Sequence, residues 1–149
     1  MAIKVVVWGT GNVGRPAIRA VLSHAELELA GVIVASAGKV GQDAGQLAGL
    51  ADTGVVATDD WRSVLEAKPD AVVYTATADI RPEEAMGDLL ACLGAGINVV
   101  STAFYSFLDP ASCPEEAMAP VAEACSQGGA SLFVSGIDPG WVMDRLPVV

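Results

Sequence analysis

Residues 3–14 read IKVVVWGTGNVG, an apolar run followed at once by glycines in the spacing Gly-x-Gly-x-x-Gly. Gly9 can adopt the backbone angles of a sharp turn, because it carries no Cβ. Gly11 lets the backbone approach a diphosphate, and Gly14 lets the next helix pack closely on the strand. A diphosphate there would meet unpaired N–H groups and the positive end of the helix dipole. This context favours a dinucleotide-binding turn over a purely structural one, with the predicted binding residues Gly9, Thr10, Gly11, Asn12, Val13 and Gly14.

Strand and helix patterns alternate along the rest of the chain, with no internal repeat. Short β-branched runs predict strands at residues 3–8, about 28–34, 54–58, 70–76, 97–101 and 131–135. Helical patterns lie at about 13–24, 43–50, 60–68, 82–95 and 114–127. Strands that are apolar throughout and joined by helices indicate a parallel sheet covered on both faces. We therefore predict an α/β Rossmann domain, a doubly wound six-stranded parallel sheet of order 3-2-1-4-5-6 with helices on both faces.

Length and composition narrow the class of protein. The chain has 149 residues, enough for one compact domain that we expect to span residues 1–149. Its formal net charge of −10 argues against nucleic-acid binding, which usually needs a basic patch. Hydrophobic residues make up 52 % of the chain, but no segment approaches the roughly 20 apolar residues that span a membrane. The three cysteines are expected to be ordinary thiols rather than metal or redox groups, and the protein to be cytoplasmic with no membrane partner.

The loop after the predicted second strand bears on the choice of cofactor. It reads ASAGK over residues 35–39, and no Asp or Glu occurs between Glu28 and Asp43. An NAD site usually places an acidic residue here to bind the ribose 2′-hydroxyl. Ser36 and Lys39 instead offer a hydroxyl and a positive charge to a 2′-phosphate. The loop therefore favours NADP(H) over NAD(H), although Lys39 is also explained as a solvated loop lysine.

Small and hydroxyl-bearing residues follow the predicted fourth, fifth and sixth strands. Ligands of doubly wound sheets lie across the carboxyl ends of the strands, so these positions are candidates for the cofactor site. The further predicted cofactor-binding residues are Ala76, Thr77, Ser101, Thr102 and Gly136. Each one is also compatible with an ordinary turn at a strand end.

Candidate catalytic residues are few, namely Tyr105 and Asp138. Tyr105 could donate a proton or form an aromatic wall beside a nicotinamide, and Asp138 could orient an iminium substrate by its charge. Loop packing is the simpler explanation for Tyr105, and a turn or helix N-cap is the simpler one for Asp138. Hydride transfer itself needs no protein nucleophile, because the protein supplies binding, orientation and electrostatics.

A further segment carries a family resemblance. Residues 41–49 read GQDAGQLAG and, with the Thr53-Gly54-Val55 that follows, resemble the corresponding segment of dihydrodipicolinate reductases. Arg81-Pro82-Glu83 falls where that family has a similar element, as does the Ser101-Thr102 stretch. Residues 135–141, SGIDPGW, are similar to reductase-like relatives that include 2,4-diaminopentanoate dehydrogenase and NAD(P)H-dependent amine dehydrogenases.

The resemblance implies hydride transfer between a nicotinamide cofactor and a carbon–nitrogen double bond of a small-molecule substrate. Those enzymes have a second, substrate-binding domain, through which they largely associate. Because this chain ends at Val149, where that domain would begin, we expect its substrate half to be missing. On that expectation, this part alone is inactive and the full-length protein is a homo-oligomer. The alternative is a non-catalytic nucleotide-binding module for redox sensing or assembly. An S-adenosylmethionine-dependent transferase is disfavoured by the missing acidic residue after the second strand.

Overall fold

The computed structural model describes residues 2–142, except for the side chains of Asp138 and Pro139. Six strands lie within these residues: β1 (Ile3–Trp8), β2 (Leu27–Ile33), β3 (Ala57–Thr58), β4 (Ala71–Tyr74), β5 (Asn98–Ser101) and β6 (Leu132–Val134). The α-helices of the same part are α1 (Gly14–Ser23), α2 (Ala44–Ala48), α3 (Trp61–Glu66), α4 (Pro82–Gly94) and α5 (Glu115–Gly128). None of the helices in residues 2–142 is long and apolar enough to cross a membrane.

The strand order confirms the predicted doubly wound topology. The six strands form one sheet in the order β3-β2-β1-β4-β5-β6. Parallel pairing joins β1 to both β2 and β4, β2 to β3, and β5 to β6. The order reverses between β1 and β4, and in such sheets ligands bind at the carboxyl ends of the strands beside this reversal. The described residues divide after Ala76 into two compact units.

In the first unit, β1 is buried on both faces. Its last four residues, Val5 to Trp8, are each no more than 6 % exposed, and successive strand residues point to opposite faces. Val5 and Val7 belong to a core cluster that includes Ile18 of α1 and residues of α2. Trp8 points to the other face, where its ring lies 5.7 Å from that of Trp61 at the start of α3, measured between centroids. Helices therefore cover both faces of this strand.

The third strand is shorter than predicted. The pattern predicted a strand over 54–58, whereas only Ala57–Thr58 pairs in parallel with β2. Val56 instead forms an isolated antiparallel bridge with Asp43. The backbone before Ala57 is therefore tied to the segment that precedes α2, so it cannot extend the parallel strand.

In the second unit, α4 and α5 pack closely together beside β5 and β6. The buried side chains include Leu89, Cys92 and Leu93 on α4 and Val121 and Ala124 on α5. A Cβ at Gly128, the last residue of α5, would overlap the backbone carbonyl of Leu93. The close approach of the two helices therefore needs glycine at this position.

The start of α4 carries several stabilising features. Pro82 occupies the first turn, where its missing N–H has no helical partner to lose. Glu83 and Glu84 follow at the positive end of the helix dipole. Arg81 Nη2 lies 3.0 Å from the Oδ2 of Asp88, whose side chain is only 9 % exposed. This ion pair neutralises a buried carboxylate one turn and a half into the helix.

Candidate functional site

The turn after β1 uses two of its glycines to maintain the fold. Gly9 has a φ of 106°, and a Cβ there would lie 2.9 Å from both the backbone nitrogen of Ala76 and the Oγ1 of Thr75. A Cβ at Gly14 would overlap the carbonyl oxygen of Gly9 and approach Thr75 Oγ1 to 2.9 Å. The neighbouring atoms are mostly backbone atoms, which cannot rotate away. Gly9 and Gly14 are therefore required by the packing of the turn itself.

Gly11 is different, because nothing in the described protein occupies the space beside it. A Cβ at Gly11 would meet no protein atom within 4 Å, and its φ is not among the positive ones. Gly11, Asn12 and Val13 are all exposed. The absence of a side chain at this position therefore leaves open space directly against the backbone, which is what a closely approaching ligand needs.

The start of α1 carries no protein cap in the described part of the chain. Val13 at the N-cap position makes no side-chain capping bond, and no acidic residue lies in the first turn. The first N–H groups of any α-helix lack partners within the helix. Among the described residues, Arg15 N–H already donates to the carbonyl of Gly11 at 3.2 Å, and Pro16 has no N–H. The donors left for an anion such as a phosphate are therefore the N–H groups of residues 11–14, beside the positive end of the helix dipole.

Lys39 brings a positive charge to the same turn. Its Nζ donates to the carbonyl oxygen and to the Oγ1 of Thr10, each at 3.1 Å. Lys39 is half-buried at the end of a short 3-10 turn after β2, whereas Ser36 just before that turn is exposed. Thr10 itself is only 5 % exposed. Lys39 is therefore bound to the glycine turn through Thr10, whereas a freely solvated loop lysine would make no such bonds.

Thr75, which directly follows β4, forms hydrogen bonds with the glycine turn. Its N–H donates to the carbonyl of Trp8 at 2.8 Å, and its hydroxyl lies 3.0 Å from that oxygen and 3.3 Å from the carbonyl oxygen of Gly9. Ala76 follows, half-buried, with its backbone nitrogen against Gly9. The sequence places Thr75 near the predicted diphosphate site, and the structure gives it a supporting role in the turn.

The other predicted cofactor residues belong to the second unit. Thr77 and Thr102 are exposed, and Gly136 is half-buried in an extended conformation. Ser101 is fully buried, and its Oγ accepts a bond from the N–H of Ala103 at 3.0 Å. Ser101 therefore holds the loop after β5 instead of presenting its hydroxyl at the surface. Contact of these residues with a cofactor stays a prediction.

Tyr105 lies at a pocket within the second unit. Its hydroxyl donates to the Oδ1 of Asp79 at 3.3 Å, and its side chain is 57 % exposed. The pocket has a volume of about 310 Å³ and includes Phe104 and Phe107, whose ring centroids are 6.2 Å apart. Asp79 was not among the predicted site residues. The side chain of Asp138, the other catalytic candidate, lies outside the described residues.

Residues 43–54, within the segment that resembles dihydrodipicolinate reductases, fold around the carboxylate of Asp43; we call this arrangement the Asp43 clip. Asp43 accepts from the N–H groups of Gly45 at 2.7 Å, Thr53 at 3.0 Å and Gly54 at 2.8 Å. The bond from the Thr53 backbone is the main cause that holds the pKa of Asp43 below its ordinary value. A Cβ at Gly45 would also overlap the carbonyl of Ala51. The Asp-Ala-Gly pattern is therefore explained by loop closure within this segment.

The described residues offer no site for a metal ion. Residues 2–142 contain no cluster of three or more His, Cys, Asp or Glu side chains that could hold a metal ion. Cys92 is buried within α4, and burial, together with the charge of Asp88, raises the pKa of its thiol to about 12. A thiol with this pKa is neither a nucleophile nor a ready metal ligand near neutral pH.

Comparisons with known proteins agree with this architecture. A protein from Streptomyces virginiae described as an amine dehydrogenase is 52 % identical over 148 residues, which cover 99 % of this chain and 41 % of that protein. A solved structure of an amine dehydrogenase from Mycobacterium smegmatis matches 91 % of this chain and 40 % of its own, with 30 % identity and a TM-score of 0.78. This chain therefore spans about two fifths of the length of these relatives.

A dihydrodipicolinate reductase from Paenisporosarcina sp. TG-14, solved with dipicolinate, shares the fold. It matches 91 % of this chain and 47 % of its own, with 18 % identity and a TM-score of 0.66. The family model described as the N-terminus of dihydrodipicolinate reductase matches residues 3–106, which is more than half of the chain. That span includes the glycine turn, the Asp43 segment and the first residues of the loop after β5. The chain therefore belongs to the dihydrodipicolinate reductase N-terminal family.

Proposed function

We propose that this chain is the nicotinamide-nucleotide-binding part of an oxidoreductase of the amine dehydrogenase type. The observation that carries the proposal is the open space at Gly11 beside the uncapped start of α1. A diphosphate fits this arrangement, because it supplies anionic acceptors for the backbone N–H groups of residues 11–14 at the start of α1. The relatives named as amine dehydrogenases support the reaction class, which is the reduction or formation of a carbon–nitrogen double bond.

Different residues of the turn have different roles in binding the nucleotide. The backbone N–H groups of Gly11, Asn12 and Val13 bind phosphate oxygens, while Gly9 and Gly14 keep those donors in place. Lys39 adds a positive charge on the side of the turn occupied by Thr10. When bound, the nicotinamide ring supplies hydride transfer, and the protein provides orientation and electrostatics.

We further propose that NADP(H) is preferred over NAD(H). Lys39 makes two hydrogen bonds to Thr10, and an ammonium has three donors, so one remains for a phosphate oxygen. Within residues 2–142, no carboxylate forms an ion pair with Lys39. Ser36 is exposed three residues earlier and offers a hydroxyl. No acidic residue between Glu28 and Asp43 is available for the ribose 2′-hydroxyl that NAD(H) would present.

The preference is tested by titrating the chain with NADPH and with NADH. Trp8 directly precedes the turn, so quenching of tryptophan fluorescence is a suitable signal. Lys39→Gln should weaken NADPH binding roughly tenfold, because it removes a charge-assisted hydrogen bond, and should leave NADH binding almost unchanged. Lys4→Gln is the matched control, since Lys4 lies exposed at the opposite end of β1. Equal affinities of the parent for NADPH and NADH would refute the preference.

Three features of the whole protein are also proposed. It acts on a small-molecule substrate, it associates as a homo-oligomer, and it works in the cytoplasm. The support is the family and the named relatives, of which this chain covers about two fifths. The oligomeric state is tested by measuring the mass of the chain in solution beside that of a chain extended to the full length of the Streptomyces relative. A monomeric extended protein would refute the homo-oligomer.

A further inference from the structure

Within residues 2–142, strands β5 and β6 are buried on one face and open to solvent on the other. Successive residues of a strand point to opposite faces. Val99 and Val134 lie on one face and are both buried. Val100 and Phe133 are partners in the strand register and lie on the other face, where they are 40 % and 62 % exposed. We call the face that carries Val100 and Phe133 the open β5–β6 face.

An apolar face without a cover is unusual in a parallel sheet, because such sheets occur almost only with both faces covered. The open β5–β6 face also carries no charge. Asn98 and Ser131 precede Val100 and Phe133 by two positions and therefore share their face. An exposed phenyl ring beside an exposed valine gains free energy when it is removed from water. The face therefore suits an apolar, uncharged cover.

We propose that the open β5–β6 face is the docking surface for an apolar segment that follows Val149 in the full-length protein. The matched region makes up 41 % of the Streptomyces relative and 40 % of the Mycobacterium structure, so more than half of each relative lies outside it. The matching family model describes an N-terminus, which places the remainder after the matched region. Ile137 and Trp141, which follow β6, are exposed apolar residues as well.

The size of the face favours a segment of the same chain over a second copy. Since an aromatic side chain buries about 150–250 Å², Val100 and Phe133 together expose on the order of 200 Å². A stable interface between two proteins buries about 800 Å² on each partner. Association of two copies through this face alone would therefore be weak. A segment of the same chain is held at a high effective concentration, so a small apolar contact is sufficient.

The test compares Phe133→Thr in two proteins, the 149-residue chain and a chain extended to the full length of the Streptomyces relative. Threonine keeps the preference for a strand but removes the ring. In the 149-residue chain the Tm should change by less than about 2 °C, because the ring is exposed. In the extended chain the Tm should fall by roughly 4–8 °C, because the ring is then buried. Ile3→Thr, at an exposed apolar position of β1, is the matched control and should shift the Tm of both proteins equally.

Two further measurements address the face without a large change of structure. Val100→Thr keeps the branched shape and adds a hydroxyl, so it should lower the Tm only where the face is covered, in the extended chain. The 149-residue chain should bind anilinonaphthalene sulfonate, a dye that fluoresces on apolar surface. Its fluorescence should be roughly twofold lower with Phe133→Thr than with Ile3→Thr.

Three results would overturn the proposal. The first is an equal shift of the Tm by Phe133→Thr in both proteins. The second is a Tm of the 149-residue chain that rises with protein concentration and loses this rise in Phe133→Thr, which would assign the face to a second copy. The third is dye fluorescence that Phe133→Thr leaves unchanged. Because no nucleotide is present, these results are independent of whether the glycine turn binds NADPH.

Discussion

The glycines of the turn after β1 should fall into two groups: substitution of Gly14, a packing glycine, should lower the free energy of unfolding, whereas substitution of Gly11 should not. Gly14→Ala places a Cβ on the carbonyl oxygen of Gly9 and 2.9 Å from Thr75 Oγ1. Overpacking of this kind destabilises proteins by about 1–3 kcal/mol, and the upper end applies here because the contacted carbonyl is backbone. The lower chain entropy of unfolded alanine offsets about 0.4–1 kcal/mol of this. We therefore expect a net loss of about 2 kcal/mol in the free energy of unfolding.

Gly11→Ala should have almost no such effect. Its Cβ would meet no atom of residues 2–142 within 4 Å, and surface substitutions of this kind change stability by less than about 0.5 kcal/mol. Thermal unfolding followed by circular dichroism checks both variants. A loss of about 2 kcal/mol corresponds to a fall in Tm of roughly 4–8 °C for a chain of this size. If Gly14→Ala and Gly11→Ala unfold at the same temperature, the division of the turn into packing glycines and a ligand glycine is wrong.

The shifted pKa values of the Cys92 thiol and the Asp43 carboxyl have consequences that can be measured. Because burial raises the pKa of Cys92 to about 12, native protein at pH 8 should react with a thiol reagent at half-buried Cys113 and Cys125 first, as read by peptide mass mapping. Fast labelling of Cys92 in folded protein would contradict this. Because hydrogen bonds lower the pKa of Asp43 below 3.8, its contribution to stability is present above that pH and is lost as the pH falls through the folded pKa. In Asp43→Asn, the free energy of unfolding should therefore fall less steeply as the pH drops below about 4. An equally steep fall in Asp43→Asn and in the parent would contradict the stabilising role given to the hydrogen bonds of Asp43.

Much of the fold was predictable because its signals are local. The apolar run of β1, the glycine turn and the start of α4 at Pro82 depend on residues close together in the sequence. The strand order then follows from the rules that govern parallel sheets. The third strand was predicted too long, because pairing of Val56 with Asp43 is a tertiary contact that the β-branched pattern does not reveal.

The candidate sites were predictable only in part, for the same reason. The glycine turn was identified from its spacing, but the anchoring of Lys39 on Thr10 joins residues 29 positions apart. Asp79 and Tyr105 are 26 positions apart, and nothing in either local sequence indicates the bond between them. The sequence of the Asp43 segment indicates a family resemblance, whereas its physical role depends on the bonds that Thr53 and Gly54 donate to the carboxylate across ten and eleven positions.

Titration of Gly11→Ala with NADPH decides whether the glycine turn is the nucleotide site. The added methyl group fills the space where the diphosphate would lie against the backbone, and no atom of the described residues lies within 4 Å of it. Gly87→Ala is the matched control, because a Cβ there also meets no protein atom within 4 Å and the residue lies on α4. We predict that Gly11→Ala weakens NADPH binding at least about tenfold at unchanged Tm, while Gly87→Ala binds as the parent does. Binding of NADPH by Gly11→Ala with the parent's affinity would contradict the assignment of this turn as the nucleotide site.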